Sequence, residues 1–492
     1  MPGMIAPPSP PTPPLPPERH AATILAWLAA RAPDQLAADL AGLGEDDAIN
    51  RAADALADAA DSDDTALRAA GLNALFAGVV EPLNDGFTPA GRALYAHLMA
   101  RIVWRVASRV PALCAALAGL AVTSLAALSA RYQRARAGDA PLPSGPIARI
   151  VVLSRVTIGA DILLSTIALS RLHQRFPQAE LVLLGDAKLA GLFAGLPQLR
   201  VRPMAYARRG PLRERLASWL EVLAALGAEG PQLVVAPDSR LDQLGVLPVC
   251  AEQDRYLLWE NLQPAGPAQS LCTLLDRFLC RRLGLADQPP ALPQLAFSTA
   301  TAELGRRLHA ALGERPLVAV KLDHGGNPAK ALPRAGELAL LGRLRGLGWR
   351  VLLDRGFGPA ELANSDELLR DLGWQAVDID EGGVLGLAAG ALAPGALAEA
   401  AVVRFHGSIS GWAAGCACAR LAVSYDSVGH HLAAALGVPV VAAFTGFSDP
   451  AFPVAWQPRG RAPITVVTIG TADKERPASW QALLDALPAP PR

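Results

Sequence analysis

The stretch from Arg420 to Phe444 constrains this chain more than any other. An apolar run, Arg420–Ser424, leads into Asp426. Small residues, two histidines and an amphipathic segment follow, Ser427–Gly437, and then a second apolar run, Val438–Phe444. Period and length read as strand, tight turn, helix, strand. Such a turn places Asp426 and the first backbone N–H groups of the helix at the carboxyl edge of a parallel sheet. Open α/β sheets bind ligands at that edge, and helix N-termini attract phosphate.

An earlier stretch has the same grammar. Arg149–Ser154 is a buried-strand run, Arg155–Asp161 a turn holding Gly159 and a carboxylate, Ile162–Phe176 helical in period, and Glu180–Gly185 the next strand, with Pro177 as a stop. Two such halves predict a cleft between two Rossmann-like domains.

The 492 residues are enough for two or three domains, and a hydrophobic content of 51% is ample for their cores. The formal charge is zero, which argues against a nucleic-acid partner, because a phosphate backbone selects a basic face. Six scattered cysteines, none in a CxxC pair, point to reduced thiols rather than a disulfide framework or a zinc site. Nine of residues 1–17 are proline; residues 1–18 are expected to be a disordered tail without the features of a secretory signal.

Residues 19–140 read as an all-helical domain. Within it Val110–Ala130 carries no charge over 21 residues, roughly 31 Å as one helix and long enough to span a bilayer. Its Ala and Gly content favours a buried helix. A buried run implies a soluble helical domain in the cytoplasm; an exposed one implies peripheral contact with the inner membrane. After a Pro/Gly-rich link, residues 147–297 form the first α/β domain, residues 316–470 the second, and residues 471–492 a closing helix and tail. Strand runs alternating with helical segments predict doubly wound parallel sheets.

At this level of detail the chain resembles bacterial glycosyltransferase family 9, the ADP-heptose lipopolysaccharide heptosyltransferases. The resemblance is carried by Arg155, Asp161 and Phe176-Pro177-Gln178-Ala179 in the first half. In the second half it is carried by Lys330 before Leu332-Pro333, by Glu361, by Asp426-Ser427 with His431 to Gly437, and by Asp449-Pro450. It spans about Arg149 to Ile469 and leaves residues 1–146 outside. It implies a GT-B fold, with the acceptor on the first Rossmann domain and the sugar nucleotide on the second. It also implies inverting, metal-independent transfer from a sugar nucleotide, an ADP-sugar in this family, to a glycan, lipopolysaccharide or protein, with no further cofactor. Asp161 is then the base. Lys330, Glu361, Asp426, Ser427, Gly429 and His431 are the donor-side residues, and Arg155, Thr157 and Gly159 the acceptor-side residues. These roles suit the chemistry: an acceptor hydroxyl loses a proton, and a diphosphate leaves with growing charge. Taken singly, Asp161 and Asp426 also read as helix N-caps. Asp378-x-Asp380 matches a metal-binding pattern of another glycosyltransferase class and is read as a chance match.

The chain departs from the family pattern at two places. Ala160 replaces the glycine before the aspartate and is expected to reshape the acceptor side. Val428 occupies a glycine position and crowds the turn after Asp426-Ser427. These departures sustain a second reading, a non-catalytic GT-B-like protein that binds nucleotide or carbohydrate and whose helical domain serves assembly. An oxidoreductase is a weak third, because no G-x-G-x-x-G follows the first strand. Residues 1–140 are expected to serve location or assembly and to be dispensable for nucleotide binding.

Overall fold

The computed structural model describes residues 15–154, 157–207, 209–238, 245–285, 288–323, 327–386, 395–447 and 449–491. Two parallel sheets dominate it. The first has the order β3-β2-β1-β4-β5, from β1 Arg149–Leu153, β2 Glu180–Gly185, β3 Leu199–Pro203, β4 Leu233–Ala236 and β5 Tyr256–Leu258. The second has the order β12-β11-β10-β6-β7-β9-β8, from β6 Leu317–Lys321, β7 Arg350–Asp354, β8 Val377–Asp380, β9 Val402–His406, β10 Leu421–Tyr425, β11 Val440–Phe444 and β12 Ile464–Thr468. All strand pairs are parallel. The architecture is the expected pair of Rossmann-like domains, preceded by a helical region.

The central parallel strands are covered on both faces, so their sequences are largely apolar and the period of two only sorts side chains between two cores. In β1, Ile150 and Val152 enter one core and Val151 and Leu153 the other; β2 and β4 divide in the same way. The first of these cores continues without a break from the inner face of the first sheet to Leu317, Ala319, Ala442 and Phe444 of the second. It is filled by the helices Thr166–Arg175, Leu271–Leu283, Thr299–Leu312, Ile409–Cys416 and Val428–Ala435. The two Rossmann-like domains are therefore packed together through this shared core. The outer face of the second sheet has its own core, closed by the helices Arg334–Gly346, Pro359–Leu372 and Pro477–Asp485.

The outer face of the first sheet is covered differently. Val151, Leu153, Val182, Leu184, Val234 and Ala236 share one core with the helix Leu212–Glu229 and with the helical region, whose elements run from Pro17 to Ala137. Each Val or Leu side chain fully buried in this way contributes roughly 1.5–3 kcal/mol. The helical region is thus one wall of the first sheet's core. The uncharged run 110–130 is not one helix in it. It divides into Pro111–Gly119 and the start of Leu125–Ala137, with Ala121 in the left-handed region at φ 58°. Leu113, Leu117 and Leu128 are buried, whereas Ala112, Cys114, Ala115 and Ala118 are exposed. Among the described residues no single helix is long and apolar enough to cross a membrane. Pro89–Ala107 and Pro111–Gly119 reach that length only as a pair bent by 119°.

Strand and helix positions follow the sequence reading closely. Elements not read from it include β5, the helices Leu189–Phe193, Leu212–Glu229 and Leu271–Leu283, and the helix Thr299–Leu312, which packs on the second domain from within residues 298–315, between the two expected domains. All six cysteines are free thiols.

Candidate functional site

Each sheet has one point where its strand order reverses: between β1 and β4 in the first, and between β6 and β10 in the second. The loops leaving adjacent strands there diverge to opposite faces and open a crevice at the carboxyl edge. The sequence-predicted residues gather at these two points. Asp161 follows β1, Lys330 follows β6, and Asp426 with Ser427 follows β10.

On the first domain the helix after β1 begins as a turn at Ile158–Ala160, passes through a π-helical turn at Asp161–Ser165, and continues as Thr166–Arg175. Thr157 is its N-cap, accepting from the Ala160 N–H at 3.3 Å. Asp161 is therefore not the cap. It lies one turn further in, 5% exposed, and its carboxylate accepts from Ser154 Oγ at 2.6 Å and from Ser165 Oγ at 2.8 Å. Burial pushes its pKa up to about 7; the two serine hydroxyls oppose that shift, and the negative charges of Asp238 and Asp186 add to it. A carboxyl titrating near neutrality is suited to take a proton. Beside it opens a cavity of about 530 Å³, lined by Ser154, Thr157, Ile158, Asp161, Asp186, Met204, Tyr206 and Arg209 among others. Ala160 does not line it. Its methyl is buried in the shared core, so the expected reshaping of the acceptor side is not where the alanine acts. Arg155 lies outside the described residues.

On the second domain Ser427, not Asp426, caps the helix Val428–Ala435, its Oγ accepting from the Gly429 N–H at 3.3 Å. That corrects the assignment of the cap to Asp426. The Asp426 carboxylate is instead ion-paired with the Lys330 ammonium. Lys330 Nζ also lies 5.5 Å from the Phe452 ring centroid, a cation–π distance. His430 and His431 are fully packed edge to face, 4.0 Å between ring centroids. Burial lowers the pKa of His430 to about 4 and that of His431 well below its ordinary value. Both imidazoles are neutral, so the positive field at this edge comes from Lys330 and the helix N-terminus. Glu361 stands at the first turn of the helix Pro359–Leu372. Its Oε2 accepts from the N–H groups of Phe357 at 2.6 Å and Gly358 at 3.4 Å, which makes it a capping residue. It also lines a cavity of about 490 Å³ with Leu322, Leu332, Arg334, Glu337, Leu353, Asp354, Ser365 and Leu368.

The two half-sites meet at Gly159. A methyl group placed there would lie 3.2 Å from Cδ2 of His431 and 3.6 Å from Cα of Val428. The glycine lets the first helix of one domain touch the helix N-terminus of the other, and Val428, partly buried, packs into the shared core at that contact. Asp378 and Asp380 are spent on protein partners: Asp378 takes a two-pronged contact from Arg404 at 2.7 and 2.6 Å, and Asp380 accepts from the Gly383 N–H at 2.6 Å. Among the described residues no cluster of His, Cys, Asp and Glu could hold a metal ion.

Several contributors were not read from the sequence. Ser165 is four residues after Asp161, the helical spacing that brings two side chains together. Ser154 and Asp186 lie just after β1 and β2, a positional signal that was available; Asp238, after β4, is where the sequence places polar residues on the ligand edge. Glu337 was not legible: it is a helix residue whose carboxylate accepts from Tyr425 Oη at 2.9 Å, and burial pushes its pKa up to about 7. Nor was the buried pair of Lys321 with Asp354.

No family model and no curated protein sequence matches the chain. Among solved structures it is similar to a glycosyl transferase of family 9 from Veillonella parvula, with TM-score 0.47 and 16% identity over 69% of this chain and 90% of that one. It is also similar to the ADP-heptose lipopolysaccharide heptosyltransferase II of E. coli, with TM-score 0.42 and 19% identity over 68% of this chain and 98% of that one. A third similarity is to the E. coli heptosyltransferase WaaC with ADP, with TM-score 0.45 and 17% identity over 68% and 98%.

Proposed function

We propose that the chain is an inverting glycosyltransferase that moves a sugar from a nucleoside-diphosphate donor to a hydroxyl of a glycan, lipopolysaccharide or protein. An ADP-sugar such as ADP-heptose is the donor that the sequence resemblance implies. The observation that carries the reading is the meeting of two complementary half-sites across Gly159: a buried carboxyl poised near neutral pH on one domain, and a lysine beside a helix N-terminus on the other.

In this reading the donor diphosphate lies at the N-terminus of the helix Val428–Ala435, and Lys330 exchanges part of its contact with Asp426 for a phosphate oxygen. The nucleoside extends toward the cavity rimmed by Glu361. The acceptor enters the 530 Å³ cavity. Its hydroxyl oxygen forms a bond to the anomeric carbon as the bond from that carbon to the diphosphate oxygen breaks. The hydroxyl proton passes to the Asp161 carboxylate, and the electron pair leaves on the diphosphate, where Lys330 and the helix N-terminus offset its charge. Ser154 and Ser165 hold the carboxylate in place while it waits.

A thermal-shift panel of nucleoside diphosphates and sugar nucleotides tests the reading. A bound donor present at a hundred times its Kd stabilises by about 2.7 kcal/mol. No shift with any member of the panel would remove the proposal. One observation favours the alternative, a nucleotide-binding protein without turnover: both Asp161 oxygens are already hydrogen-bonded and the side chain is buried. Nucleotide binding with no sugar transfer to any acceptor would establish that alternative.

A further inference from the structure

The turn between the helices Glu81–Asp85 and Pro89–Ala107 leaves the helical region and enters the junction of the two domains. Phe87 sits there at φ 51°, in the left-handed region that a bulky side chain avoids. Its ring is fully buried in the core shared by the two sheets, not in the core of its own helices. Such a conformation persists where the surroundings over-determine it. Here the Phe87 N–H donates to the Asn84 carbonyl at 3.1 Å, and the Phe87 carbonyl accepts from the Gln263 N–H at 3.0 Å. Behind the turn, the buried Arg92 guanidinium donates to Asn84 Oδ1 and to Glu260, whose carboxylate is held from its other side by Arg136 at 2.6 Å.

Gly86 faces the second domain. A methyl group placed on it would lie 3.1 Å from Asp449 Oδ2. The other oxygen of Asp449 accepts from the Ala451 N–H at 2.7 Å, at the start of the helix Ala451–Ala455. Phe452 of that helix is the ring beside Lys330. A short chain of contacts thus runs from the helical region to the cation at the switch point of the second sheet.

We infer that the Gly86–Phe87 turn is a positioning element for the donor half-site: it seats the helix Ala451–Ala455 and thereby fixes where Lys330 holds its charge. The inference rests on the reading of Lys330 given under Proposed function. It assigns to the helical region a part in nucleotide binding that the region's position outside the resemblance does not suggest.

Gly86 has an ordinary φ of −81°, so added side-chain atoms there press on Asp449 without straining the backbone. Gly86→Ala is the mild variant and Gly86→Val the strong one. Amide exchange across 449–455, calorimetric binding of ADP and the melting temperature are to be measured on the full chain. The expected result is faster exchange at 449–455 and an ADP affinity reduced about fivefold, equivalent to about 1 kcal/mol, at an unchanged melting temperature. Asp449→Ser added to Gly86→Ala keeps an oxygen for the Ala451 N–H, removes the oxygen that the methyl meets, and restores both. Unchanged exchange at 449–455 in both Gly86 variants overturns the inference, as does altered exchange with wild-type ADP affinity. If the wild-type chain binds no ADP, the reading of Lys330 fails, and the exchange measurement still decides whether the turn seats this helix.

Discussion

The two sheets solve the same problem with different materials. The second is wrapped by helices that follow its own strands, together with Thr299–Leu312, which precedes its first strand. The first covers its outer face with only one helix of its own, Leu212–Glu229, and takes the rest of that wall from the helical region. Their half-sites differ as well. The first presents a buried carboxyl beside two other carboxylates, the second a lysine paired with a carboxylate at a helix N-terminus. The comparison teaches that the helical region is structural to one half of the site, and that under the proposed function proton transfer and charge neutralisation would fall to different domains.

Truncation strikes the comparison hardest. A chain beginning at Ser144 loses the helices that cover Val151, Leu153, Val182, Leu184, Val234 and Ala236. We predict that it aggregates or shows no cooperative unfolding of the first domain by circular dichroism. A monomeric, cooperatively folded truncation with wild-type nucleotide binding would show that the two sheets are equally self-sufficient and restore the expectation that residues 1–140 are dispensable.

Asp161→Asn tests the division of labour. Removal of a general base commonly costs ~10²–10⁴ in rate, so transfer is expected to fall by that factor while ADP binding persists. In the wild type, kcat/KM should rise with pH through about 7 as the carboxyl loses its proton. A rate that is flat across that window would take Asp161 out of the chemistry.

Stability against pH sharpens the same contrast. The pKa of Asp161 is raised from 3.8 to about 7 in the folded chain. Between about pH 4 and 7 the folded state thus retains a proton that the unfolded state has released, and its stability falls as pH rises through that window. Relative to wild type, Asp161→Asn should therefore become progressively more stable from pH 4 to 7 and level off above it, by at most roughly 4 kcal/mol at about 1.4 kcal/mol per pH unit. Glu337→Gln in the second domain should behave likewise, because burial also raises Glu337 to about 7. Denaturant unfolding at several pH values checks both, and a variant whose difference from wild type does not change with pH would contradict the burial argument at that site.

Lys330→Ala is the mildest of these tests. Loss of a charged hydrogen bond is worth about 1.5–3 kcal/mol, so ADP affinity measured by calorimetry should fall roughly 10- to 100-fold. An affinity equal to wild type would move the phosphate site away from the switch point of the second sheet.

Much of this architecture is legible in the chain. Strand runs such as 150–153 and 421–423 are apolar because central parallel strands are buried on both faces, and the polar residues that follow them mark the ligand edge. Asp161 and Asp426 are found that way, and Lys330 through the family resemblance. Capping was read less well, because Asp426 and Ser427 are neighbours and both residue types cap; the Lys330 ammonium claims the aspartate and leaves the helix to the serine. The strand β5 is only three residues long and carries too little pattern to recognise.

By itself the sequence determined the two parallel sheets, most of their strands, and the residue types that reach each carboxyl edge, because hydrophobic period and turn chemistry are local. Only the tertiary structure decided that the helical region closes the first sheet, that Gly159 touches the opposite helix, that Glu337 meets Tyr425, and that Asp161 sits where burial lifts its pKa. Those outcomes depend on surfaces far apart in the chain packing against one another, and desolvation and close contact exist only once that packing is complete.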